Sequence, residues 1–349
     1  MNRLSVRRIA GTTLVLVAVW VGAVLLSLNV GSVHIPLGTS FRILKAYLTG
    51  TSPAETPLDS ILLSVRLPRV FLGSLVGAAL AAAGAAFQSL LRNPLADPYV
   101  LGVSTGASMG TILYSVILGS TGLAAAGGWL FARPAAAFLG AALTVAAVYV
   151  VAGGSDRVGE ASQRLLLAGI VLASFISSIN VFLLTSTNQA DLRGIFYWLI
   201  GDLSRPVDAS IYVVATVVPA GCFVLFLCSH SLNLISMGEE DALILGIEVH
   251  RVKASVYVIA SLITGSVVSV SGPIAYIGLI CPHLARMMFG SDNRLLFPTV
   301  FVFGAIFTLL ADTLARTVLS PAELPVGVIT ALCGAPLFIY LLRRKGGKP

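Results

Sequence analysis

Charge is what this sequence has least of. Only 11% of its 349 residues are Asp, Glu, Lys or Arg, where a soluble domain carries about a quarter. There are too few charged groups to cover a water-facing surface, which excludes an ordinary soluble protein. Cysteine is scarce too. Cys222, Cys228, Cys281 and Cys333 fall in apolar stretches with no CxxC pair, and read as small packing residues. The four histidines, His34, His230, His250 and His283, show no HExxH or paired-ligand spacing, so no metal site is expected. No GxxxxGK[ST] occurs, so the chain cannot itself be a P-loop nucleotide-binding subunit.

What fills the sequence instead is apolar residues, 57% of the total, with a mean hydropathy of +0.95. The fold class expected is all-α and polytopic, a single transmembrane domain over 1–349 with its surface in lipid. At about 20 residues per crossing, the length accommodates about ten spans. Apolar runs bounded by helix breakers place them near 9–30, 68–90, 98–118, 133–153, 164–186, 208–229, 254–271, 274–287, 296–316 and 327–342. The first run follows a basic start like a signal peptide, but it is long for one and lacks a clean cleavage site, so it is read as a retained helix. The eighth is too short to cross alone and follows Ser271, Gly272 and Pro273. A broken helix at membrane depth needs protein or a wet cavity to satisfy its backbone.

Orientation follows from the Lys and Arg distribution. With both termini inside, Arg42, Lys45, Arg66, Arg69, Arg133, Arg193, Arg205 and Arg316 fall outside, eight of the 22 basic residues, leaving fourteen inside. The net charge of +7 follows from this bias and implies no nucleic-acid partner. Arg66, Arg69 and Arg316 stand out among these, and the reading their positions give without a relative is snorkelling at the interface. Asp312, one helical turn before Arg316, is placed to orient it.

One stretch combines several unusual features. "GAALAAAGAAFQSLLRNPLADPYVLG" (77–102) is built from the smallest residues, then breaks at a polar turn bracketed by Pro94 and Pro98. Gly73, Gly77, Ala81 and Ala85 lie at i+4 spacing with Gly84 beside them, a face another backbone can approach closely. Farther on, residues 229–253 form the longest inner connection. Gly238 precedes "EEDALILG", which reads as a short amphipathic helix with a turn at Gly246. Its Leu243, Ile244, Leu245 and Ile247 are too apolar for a solvated loop, so a partner surface is expected there.

These residues, with "RLPR" (66–69), "LLLAGI" (165–170), "WLIGDL" (198–203), "GPIAYIGLICPHLAR" (272–286), "DTLAR" (312–316) and "ELPVGVITALCGAPLFIYLL" (323–342), resemble the FecCD family of ABC-importer permeases in order and spacing across nearly the whole chain. Cys281 and Tyr276 depart from the commoner Val and Phe. The resemblance implies a non-enzymatic permease of the type II importer class in the bacterial inner membrane, multi-pass, with both termini cytoplasmic. It implies a second permease copy, two ATPase subunits and a periplasmic or lipid-anchored substrate-binding protein. The chain would hold no cofactor, with ATP and magnesium bound by the ATPase. The cargo would be a bulky metal chelate, haem or a ferric siderophore, with cobalamin as the alternative. Carried over onto this sequence, Arg66, Arg69 and Arg316 dock the binding protein. Gly238, Glu239, Glu240, Leu243, Leu245, Gly246, Ile247 and Arg251 couple to the ATPase. Asn93 and Leu95 constrict the inner mouth, the turn at 153–164 is a second candidate gate, and 188–206 closes the outer mouth. An ion-coupled carrier would need buried ionisable groups in several spans, and only Asp312 qualifies. An intramembrane enzyme would need a nucleophile and base or a ligand cluster, and none stands out.

Overall fold

The computed structural model describes residues 6–51, 56–121, 132–153, 161–185, 189–204 and 210–346, and all regular elements among them are helical. They are α1 (Val6–Asn29), α2 (Leu37–Leu48), α3 (Pro57–Leu90), α4 (Val103–Thr121), α5 (Ala132–Val151), α6 (Ala161–Thr185), α7 (Gln189–Ile200), α8 (Ser210–Leu227), α9 (Ser229–Met237), α10 (Glu239–Ile244), α11 (Val249–Ser271), α12 (Ile277–Phe289), α13 (Asn293–Thr317) and α14 (Val326–Gly346). Among the described residues, seven helices are long and apolar enough to cross a membrane: most of α1, then α3, α5, most of α6, α8, α11 and α13. Shorter apolar helices cover Val103–Ile117, Ile277–Phe289 and Val326–Tyr340.

The central post is α3. From Val76 to Leu90 it is buried almost without interruption. Its small residues serve close approach on two sides. Gly77 lies against the carbonyl of Gly304 on α13, and Gly84 against that of Gly278 on α12. A methyl group at either glycine would overlap a backbone oxygen, so neither seam tolerates even alanine without displacement. Ser89 Oγ donates to Asn293 Oδ1 at 2.9 Å, while Arg69 at the other end of α3 meets Asp312. The two helices therefore run antiparallel along their whole length, and the bundle has two distinct ends.

Several boundaries differ from the sequence expectation. The second run begins at Pro57 rather than 68, because a capping box between Thr56 and Asp59 starts the helix early and a π-helical stretch over Ile61–Arg66 carries it into "RLPR". The third begins at Val103 rather than 98, since Pro98–Leu101 forms a 3-10 turn that ends on Gly102 at φ +81°. The helix α2, amphipathic with Ser40 and Ile43 buried, has no counterpart in that expectation. Its apolar positions are too few to register as a run.

Candidate functional site

At one end of the bundle the structure gathers five ionisable side chains from three segments. Arg66 and Arg69 begin the apolar part of α3, Asp312 and Arg316 end α13, and Glu323 lies in the turn before α14. Arg69 donates through Nη2 to Asp312 Oδ1 at 2.8 Å, through Nε to both Asp312 oxygens at 3.1 and 3.2 Å, and through Nη1 to Glu323 Oε2 at 2.7 Å. Arg316 Nε lies 3.2 Å from Asp312 Oδ2, the expected i,i+4 pair. Its Nη2 also donates to the Ser27 hydroxyl at 2.7 Å and the Ser27 carbonyl at 3.1 Å. Arg66 donates to the carbonyl of Leu28 at 2.7 Å and to that of Val33. The carbonyls of Ser27 and Leu28 belong to the last turn of α1, whose acceptors have no partner within the helix. Two guanidinium groups thus cap α1, where positive charge is also favoured by the helix dipole.

This is where the structure places the three arginines expected to dock a partner. They are brought together, but they are 4%, 5% and 3% exposed and turned inward. Snorkelling is excluded on the same ground, because the charged tips lie among protein groups rather than in water. Sequence reasoning saw Asp312 only as a neighbour of Arg316 and did not single out Glu323, although it stands at the head of the quoted "ELPVG".

At the opposite end, α9 packs against α3 and α13 beside the start of α13, and α10 follows it. Asn233 Nδ2 donates to Asp292 Oδ1 at 2.7 Å, and the backbone N–H of Asn293 donates to Asn233 Oδ1 at 2.8 Å. Glu239 is buried and holds Lys253 at 2.5 Å. Ile247 packs against the small cluster of Ile235, Ala242 and Val249. Gly246, at φ +81°, ends α10 in the left-handed region. Met237, Leu243, Ile244 and Leu245 are 71%, 47%, 84% and 63% exposed, rimmed by exposed Glu240, Asp241, Glu248 and Arg251. Arg251 pairs with Glu248 at 2.7 Å. The expected coupling residues therefore divide. Glu239 and Ile247 anchor the segment, and Gly238 and Gly246 shape it. Leu243, Ile244 and Leu245 are presented, together with Met237, which the sequence reading had not singled out.

The turn at 91–96 lies at this same end. Asn93 Oδ1 accepts the Leu95 N–H at 2.9 Å, its own N–H donates to Gln88 O at 3.2 Å, and its carbonyl accepts from Ala96. Leu95 is 47% exposed. Asn93 thus shapes the turn and Leu95 is the side chain it displays. Of the second candidate gate, residues 154–160 lie outside the described residues, as do 188, 205 and 206 of the outer segment.

Between the ends, α11 stops at Ser271 and α12 starts at Ile277. The backbone between them is unwound, as the Ser-Gly-Pro sequence implies. Tyr99 satisfies it. Its hydroxyl accepts the Ile274 N–H at 2.9 Å and donates to the Ile274 carbonyl at 3.1 Å. On the other side, the Asp202 N–H donates to Ser271 O at 2.8 Å.

A buried charge cluster at one end, an exposed apolar cluster at the other and a broken helix between them fit a transport subunit, and comparison with known proteins agrees. The FecCD transport family matches residues 15–344. The chain belongs to that family. A FecCD chain is a transport permease subunit, and the apolar helices make this one a multi-pass membrane protein that works as the permease of an ABC importer, with ATPase and substrate-binding partners. It is 39% identical to an ABC transporter permease of Bacillus subtilis (YvrB), over 93% of this chain and 92% of that one. It is 36% identical to the hemin transport permease HmuU of Yersinia pestis, over 99% and 98%. Among solved structures, an inward-facing metal-chelate type ABC transporter superposes with a TM-score of 0.79 at 27% identity, covering 96% of this chain and 99% of that one.

Proposed function

We propose that this permease carries an iron chelate, haem or a ferric siderophore, with cobalamin as the alternative cargo. Supporting this are relatives named for hemin, siderophore and ferric dicitrate transport, beside one named for cobalamin. Two copies of the chain pair with two ATPase subunits, which bind the ATP and magnesium and carry out the hydrolysis. The end bearing Leu243, Ile244 and Leu245 faces the cytoplasm with both termini, and the arginine end faces the binding protein outside. The chain forms a single permease domain whose inner mouth is narrowed at Asn93 and Leu95. A second copy is supported by α6, which is mostly uncovered and exposes Ser174, Ser177 and Ser178 in its middle. Hydroxyls on the open face of an apolar helix suit a protein or wet neighbour better than lipid tails.

The observation that carries the reading is the presented apolar cluster of Met237, Leu243, Ile244 and Leu245. It is ringed by charge, and the residues around it are anchored. A hydrophobic patch rimmed in this way is an interaction surface. The test is purification with the neighbouring ATPase. The expected result is a two-plus-two complex whose ATP hydrolysis rises when the binding protein is added. A transport-competent chain that needs no ATPase would sink the proposal. Ligand extraction from the purified binding protein identifies the cargo.

A further inference from the structure

The arginine end contains three guanidinium groups and two carboxylates, and the carboxylates are not equivalent. Asp312 is 1% exposed, sits within α13 and is shared by Arg69 and Arg316. Removing it from its partners would strand charge inside the protein. Glu323 is 32% exposed and lies in the non-helical turn between α13 and α14. Among the described residues Arg69 is the group its carboxylate bonds, through Nη1 alone. The turn is folded back onto α13 by the Leu324 N–H, which donates to the Ala315 carbonyl at 3.0 Å. That bond places Glu323 over the one edge of Arg69 that Asp312 leaves open.

A carboxylate that is part solvated, on a turn, with a single partner is cheap to displace. The arginine beneath it cannot be reached from outside while it is there. If Glu323 leaves, the cluster goes from an excess of one positive charge to an excess of two. One guanidinium edge is then vacant and shaped for a carboxylate.

We propose that Glu323 is an internal stand-in for a partner's carboxylate. It covers Arg69 in the free permease and is exchanged for an acidic side chain of the docking substrate-binding protein. This rests on the reading that the arginine end is where that protein binds, and it explains how buried arginines can serve there. Because one ion pair replaces another, the contact forms and releases without leaving a buried charge unpaired.

The test uses the complete permease–ATPase complex in detergent and measures binding-protein affinity for wild type, Glu323→Gln and Arg69→Gln. Glu323→Gln removes the competitor and should tighten binding by about fivefold, the scale of one exposed ion pair, while Arg69→Gln should weaken it. The gain should shrink at high salt, as a contact between charges requires. Weakened binding in Arg69→Gln with no gain in Glu323→Gln would overturn the exchange and leave docking at the arginines intact. Unchanged affinity in both would remove the docking reading and the exchange with it. If Glu323→Gln does not assemble, Glu323→Asp keeps the charge and shortens its reach. A smaller gain is then expected, and unchanged affinity overturns the exchange.

Discussion

Arg69 and Asp312 are 243 positions apart in the chain, yet Nη2 of one lies 2.8 Å from Oδ1 of the other. The pair joins the start of α3 to the end of α13 and supplies the main counter-charge to two buried arginines. Replacing Asp312 by Asn keeps the shape and removes the charge. Breaking a buried pair from one side costs about 3–5 kcal/mol, so Asp312→Asn should lower the thermal inactivation midpoint of the detergent-solubilised protein markedly. The double variant Asp312→Asn/Arg69→Gln should recover part of the loss. Equal midpoints for wild type and Asp312→Asn would mean the pair contributes nothing.

Two isoleucines three residues apart at the far end should respond oppositely. Ile244 is 84% exposed, whereas Ile247 packs with Ile235, Ala242 and Val249. Ile244→Asp should leave the permease folded but weaken ATPase binding at least tenfold, about 1.4 kcal/mol. Ile247→Asp should destabilise the segment itself by about 2 kcal/mol through a charge placed among apolar groups. Pull-down of the ATPase together with thermal stability separates the two effects. Normal ATPase retention by Ile244→Asp would show that the apolar cluster is not a contact.

Tyr99 offers a cleaner deletion. Tyr99→Phe removes one oxygen and leaves both the N–H and the carbonyl of Ile274 without the partner they now share. An unsatisfied buried backbone group costs about 1–3 kcal/mol. Amide exchange across 272–276 should accelerate in the variant, while exchange in α3 and α13 stays as in wild type. Unaltered exchange in 272–276 would show that another group holds the break.

Much of the helical layout was legible because apolar runs and their Gly and Pro breakers act locally. The broken helix after Ser271, the turn at 91–96 and the i,i+4 pair of Asp312 and Arg316 all came from near neighbours in sequence. What could not be read depended on distant partners. Nothing near Arg69 in the chain announces Asp312 or Glu323, so the three arginines looked like surface charges. Nor does any spacing link Tyr99 to Ile274. Within 238–251 the sequence led us to expect an interaction segment but could not assign its faces. A helix of one and a half turns presents or buries a residue according to what lies beneath it, and Ile244 and Ile247 are equally apolar.

The close seams between Gly77 and Gly304 and between Gly84 and Gly278 have a mechanical consequence. Helices whose backbones touch cannot slide past one another without a clash, so α3, α12 and α13 behave as one stiff strut. From Arg69 to Leu90 alone that strut is about 30 Å long at 1.5 Å per residue. Compliance must therefore lie where the chain leaves the helix: in the turn that carries Glu323, in the turn of Asn93 and Leu95, and in the unwound residues held by Tyr99. The first two adjoin the ends of the strut and the third lies between them, so the strut moves as a body and its movement is taken up in a handful of loop dihedrals.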